Sequence, residues 1–96
     1  MNILNMDELR DRALLLIREV GPKRLSEKGG KNYERWRNIS SGKIRISTEE
    51  VGILAQTFPE YALWLISGRT EPENGHRSPE YDAAHSNLPS QSAGSN

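Results

Sequence analysis

At 96 residues, of which 34% are hydrophobic, the chain has room for one modest core, and part of its length is expected to stay outside it. Thirteen basic and thirteen acidic residues cancel to a net charge of zero, which argues against a generic polyanion binder, and with no cysteine there is neither a disulfide framework nor a zinc–thiolate site. The longest apolar runs, residues 13–17 and 62–66, are too short to span a bilayer, and residues 1–6 lack the basic start of a signal peptide, so a reducing cytoplasm is the expected setting.

The first predicted element is a helix over Met6–Val20. Asn5 is placed to cap it, with Glu8 as the carboxylate of a capping box and Leu4 and Leu9 as a hydrophobic staple. Leu9, Ala13, Leu16, Ile17 and Val20 recur at helical spacing, and Gly21-Pro22 stops the run. A short second helix is expected over residues 22–28, opened by Pro22 and docked through Leu25, because so short a segment cannot hold a helix alone in water. Gly29-Gly30 breaks it.

The third helix, about residues 32–39, is the stretch around which the chain is organised. Tyr33, Trp36 and Ile39 fall three residues apart and are expected to face inward. The opposite side then shows Lys31, Asn32, Glu34, Arg35, Arg37 and Asn38. Arginine can bond guanine N7 and O6 as a fork, and asparagine can do the same to adenine N7 and N6, so a short helix with this outer face suits major-groove reading. An ordinary solvated face has the same composition and is the plainer alternative.

Lys43-Ile44-Arg45-Ile46 alternates basic and apolar residues, and with no partner strand in the sequence it reads as an extended linker with both isoleucines inward. Ser47 and Glu50 form the second capping signal, ahead of Val51, Leu54, Ala55 and Phe58 as the stripe of a fourth helix. Pro59 opens a fifth, apolar almost all round from Tyr61 to Ile66 and stopped by Ser67-Gly68. Residues 69–96 have Tyr81 and Leu88 as their only large apolar side chains and are expected to be a disordered tail with at most a transient turn at residues 78–84. The expected division is therefore a domain over residues 1–68 and a flexible tail over 69–96.

Charge is unevenly distributed. Residues 18–45 carry nine basic groups against three acidic ones, a net +6, whereas residues 46–96 carry two against seven, a net −5. A cationic block centred on the third helix is the electrostatic footprint of a phosphate-binding surface.

This arrangement resembles the lambda-repressor-like helix-turn-helix family, also called Cro/C1 or XRE type. The residues that carry the resemblance are Arg35-Trp36, Ser41-Gly42-Lys43, Ile46-Ser47, Val51, Leu54, Ala55 and Phe58, then Tyr61-Ala62-Leu63-Trp64-Leu65 with Gly68, and it covers about residues 6–68. The chain departs from the family's pattern in Lys23-Arg24-Leu25-Ser26, which lacks the usual Gln and Ala, in the shorter Gly29-Gly30-Lys31-Asn32 turn, and in a longer interval between Trp36 and Gly42. The last departure implies a longer or differently tilted recognition helix. The resemblance implies an all-α, compact bundle of about five short helices and a phage-related transcriptional regulator that binds double-stranded DNA, with the third helix in the major groove and the second across the backbone.

On that reading Lys31, Asn32, Glu34, Arg35 and Asn38 are the candidate base readers. Lys23, Arg24, Lys28, Arg37, Lys43 and Arg45 are the candidate phosphate contacts, which fix register without reading sequence. One helix covers only a few base pairs, so a homodimer on a palindromic site is expected, with Tyr61, Trp64 and Leu65 as its patch. The alternative function is a helical, antitoxin-like adaptor whose tail folds on a protein partner through Tyr81 and Leu88. An enzyme is not expected. His76 and His85 fall in the tail as solvated spacers, Asp7-Glu8 and Glu49-Glu50 are explained by helix starts, Gly29-Gly30 lacks the spacing of a phosphate loop, and no cofactor or metal-ligand pattern occurs.

Overall fold

The computed structural model describes residues 6–30 and 32–85. Six α-helices follow one another: α1 Met6–Val20, α2 Pro22–Gly29, α3 Tyr33–Ser40, α4 Thr48–Thr57, α5 Ala62–Ser67 and α6 Pro79–Ala84, with 3-10 turns at Pro59–Tyr61 and Pro72–Asn74. The described residues form no strand, only a single bridge between Glu71 and His76. The all-α expectation holds.

Helix α1 is the spine. Its spaced apolar residues Leu9, Ala13, Leu16 and Ile17 are all buried, and they meet Leu25 of α2, Trp36 and Ile39 of α3, Leu54 of α4, and Trp64 and Leu65 of α5. Burying a leucine- or isoleucine-sized side chain contributes roughly 1.5–3 kcal/mol over leaving it in water, so these contacts hold helices too short to stand alone. The cap assigned to Asn5 and the staple through Leu4 lie outside the described residues.

Two arginines of α1 finish other helices. The last carbonyls of a helix lack intrahelical donors and need partners from elsewhere. Arg12 donates to the Leu65 and Ile66 carbonyls at 2.9 and 3.2 Å, closing α5. Arg18 donates twice to the Ser40 carbonyl, at 3.1 and 3.0 Å, closing α3. The cation–carbonyl pairing also complements the negative helix ends.

The α2–α3 pair comes close to α4 through Gly29. A Cβ there would lie 2.9 Å from the Ile53 side chain and 3.6 Å from the Trp36 ring, so the end of α2 has no room for a larger residue. Trp36 is fully buried, with its indole N–H meeting no acceptor among the described residues.

The chain beyond Gly68 differs from the expected tail. Residues 69–85 are not an unfolded run: they turn through the Glu71–His76 bridge and return as α6. The Arg77 N–H bonds the Glu60 carbonyl at 2.8 Å, the Tyr61 hydroxyl donates to Asp82 at 2.7 Å, and Arg77 donates to the other Asp82 oxygen at 2.7 Å. Counting apolar residues missed this because polar bonds, not a buried stripe, fasten the segment. Residues 86–96, Leu88 included, lie outside the described residues.

Candidate nucleic-acid interface

Helix α3 is positioned at both ends and along one side. At its start, Asn32 caps it by accepting the Arg35 backbone N–H at 2.8 Å. At its end, Gly42 takes a positive φ of 86°, where a Cβ would be strained. The Lys43 N–H returns to the Asn38 carbonyl at 2.9 Å and the Gly42 N–H to the Ile39 carbonyl at 3.0 Å, the paired closure of a Schellman motif. That closure sends Ile44 and Ile46 against the core and leaves Lys43 and Arg45 exposed, as the linker's alternation predicted.

Along its side, α3 is locked to the start of α4. The Arg35 guanidinium engages both oxygens of Glu50, one of them at 3.0 Å, and Glu50 is buried to 1% exposure. The same carboxylate accepts the Ser47 backbone N–H at 2.8 Å and the Ser47 hydroxyl at 2.7 Å, so the predicted capping box is formed and one of its members serves a second helix. Burial alone would push the Glu50 carboxyl up, but the Arg35 and Ser47 donors outweigh it and hold it at about 2. Arg35 is correspondingly held more firmly protonated by its bond to Glu50.

The expected inward aromatic pair is only half inward. Trp36 is buried, but Tyr33 is 48% exposed. Tyr33 and Ile39 each lie three residues from Trp36, on opposite flanks of it, and the core of α1 and the 44–46 linker fills only the Ile39 flank. Tyr33 turns instead over α2, beside Lys23, Ser26 and Glu27.

The candidate base readers therefore divide. Glu34 is exposed, Asn32 is exposed but its side-chain oxygen is held by the cap and cannot complete an adenine fork, Asn38 is half-buried with its carbonyl organising the turn, and Lys31 lies outside the described residues. Arg35 is an inter-helix clasp, a role with no local signal because its partner is fifteen residues away in the chain. All six candidate phosphate contacts, Lys23, Arg24, Lys28, Arg37, Lys43 and Arg45, are exposed. The dimer patch needs correction: Trp64 and Leu65 are core residues of the monomer, and the Tyr61 hydroxyl is taken by Asp82. Burial, and after it the bond to Asp82, pushes that hydroxyl up to about 12.

The arginines sort into two groups. Arg10, Arg12, Arg18, Arg35, Arg69 and Arg77 each bind a carboxylate or a helix-end carbonyl. Arg24, Arg37 and Arg45, with Lys23, Lys28 and Lys43, have side chains without a hydrogen-bond or ion-pair partner among the described residues, and all six fall between positions 23 and 45. The described cations of the +6 block are thus free wherever the fold does not use them. Arg18 and Arg35 are the exceptions, and sequence pattern offered no signal for either.

Neither a protein-family model nor a curated protein matches the chain. Among solved structures, the chain is similar to Pf6r from the filamentous phage Pf6 of Pseudomonas aeruginosa PA01, at 42% sequence identity and a TM-score of 0.68, over 76% of this chain and 96% of that one.

Proposed function

This chain belongs to the family of Pf6r, and from that premise we propose that it is a sequence-specific, double-stranded-DNA-binding regulator of transcription, of the lambda-repressor-like helix-turn-helix kind. Helix α3 enters the major groove with Glu34 and Asn38 on its outer side, and Arg37, expected from the sequence to contact phosphate, takes the base-reading place that Arg35 gives up to Glu50; α2 and the 43–45 linker meet the phosphates. The observation that carries this reading is the set of six exposed cations between positions 23 and 45 that have no partner among the described residues, in a chain whose other described arginines are all employed by the fold. A protein that needed these groups only for solubility would have no reason to confine them to the helix-turn-helix and the linker behind it. The bound form is a homodimer, because one such helix covers too few base pairs for useful selectivity.

Selection of bound duplexes from a random pool tests the reading. A recurrent, two-fold-symmetric sequence is expected. Arg37→Ala should then lower the preference for the selected duplex over a random one by about 5- to 160-fold for each half-site, the range of one base contact worth about 1–3 kcal/mol. Arg35→Ala should lower the melting temperature instead, by leaving a buried carboxylate unpaired. A pool that enriches no sequence would end the proposal.

A further inference from the structure

Tyr33 is the one large aromatic side chain exposed on the helix-turn-helix, and its surroundings are chemically specific. Its ring lines a shallow cleft of about 400 Å³ with Lys23, Ser26 and Glu27, and an adjoining cleft with Val20, Gly21, Pro22 and Arg24. The cleft therefore lies between the start of α2 and the start of α3. Within it, the Tyr33 hydroxyl and the Lys23 ammonium have no hydrogen-bond or ion-pair partner among the described residues. An exposed aromatic that contributes nothing to the core, beside a free cation and with an idle hydroxyl, is unexplained by folding.

We propose that this cleft grips one phosphodiester of the bound duplex, with the Tyr33 hydroxyl and the Lys23 ammonium on its non-bridging oxygens and the Tyr33 ring against the neighbouring deoxyribose. The inference rests on the DNA-binding reading and names a contact of that same surface. A hydroxyl donor and a lysine suit a phosphate, which carries charge and acceptors but no base identity. The Glu27 carboxylate also lines the cleft and repels phosphate, so the grip depends on the Lys23 ammonium to offset it. Tyr33 is thus a positioning residue for α3, setting how far the helix tip enters the groove.

The two donors make distinguishable contributions. Lys23 displaces a counterion from the duplex and Tyr33 does not, so only the former enters the salt dependence. Binding of the full chain to its selected duplex and to a random duplex, across a salt series, separates them. Tyr33→Phe, which removes one oxygen from an exposed ring, should weaken binding to both duplexes alike, by about tenfold, with the salt slope unchanged. Lys23→Gln should lower the magnitude of that slope by about two, one for each protomer of the homodimer. Tyr33→Phe equal to the unsubstituted protein on a duplex that the latter binds would overturn the clamp and leave the DNA reading standing. A loss confined to the selected duplex would overturn it too, by making Tyr33 a base reader. If the unsubstituted protein binds neither duplex, the DNA reading itself has failed, and the clamp with it.

Discussion

Helices α3 and α6 are both short and are capped in the same way, by Asn32 and Ser78 accepting the backbone N–H three residues on, at 2.8 and 2.9 Å. They are held down by different forces. Under α3 lie two buried apolar side chains, Trp36 and Ile39, and the Arg35–Glu50 clasp fixes its direction, whereas α6 buries no apolar side chain and rests on Asp82 with Tyr61 and Arg77. The difference shows how a helix of eight residues can spare its whole outer side. Because apolar burial and one internal ion pair over-determine α3, its remaining polar groups are not needed for stability. Helix α6 has no such surplus, since its polar groups are its attachment.

The comparison is broken most severely by Trp36→Ala, which should destabilise the fold by about 3–5 kcal/mol, the usual loss for a truncated buried aromatic. Denaturant unfolding measures this, and an unchanged midpoint would mean that α3 is not seated as described.

Acid should weaken the clasp next. Glu50 titrates at about 2 in the folded chain against an ordinary 4.5, so it favours the folded state above pH 4.5 and loses that contribution as pH falls toward 2. The difference corresponds to about 3 kcal/mol. Glu50→Gln should reduce the acid sensitivity between those values while lowering stability at neutral pH, as thermal melts across the range will show. What remains is the share of Asp82, whose carboxyl burial pushes up but the Arg77 and Tyr61 donors hold below its ordinary value. An unaltered acid profile would assign the sensitivity to other carboxylates.

The smallest effect belongs to α6. Asp82→Ala strips the shared acceptor from Tyr61 and Arg77 at a partly exposed site, and should cost about 1 kcal/mol. Amide exchange should quicken across residues 71–85 while α1, α3 and α4 keep their protection. Equal quickening throughout would show that α6 is integral to the bundle.

How much of this was legible in the sequence follows the same division. The end of helix α1 was legible to the residue because a periodic stripe stops at Gly21-Pro22, and the Ser47–Glu50 box was legible because both partners lie within one turn. The roles of Arg35 and of Arg12 and Arg18 were not, since each depends on a partner placed beside it only by the completed fold. Tyr33 misled because a spacing of three from Trp36 runs in both directions, and periodicity does not say which flank the core will fill. The 69–85 segment was missed for a related reason: its order comes from hydrogen bonds across some twenty residues of chain, to which composition is blind.

The central claim is that the cations left unpartnered between positions 23 and 45 are the duplex-binding surface. The salt dependence of duplex affinity tests it most directly, comparing a Lys43→Gln/Arg45→Gln double variant with Arg69→Gln, a cation outside the block that pairs with Glu71. Four lost phosphate contacts, two on each protomer of the homodimer, should flatten the slope of log affinity against log salt by about four in the double variant and leave it unaltered in Arg69→Gln. An equal slope in all three proteins would contradict the account.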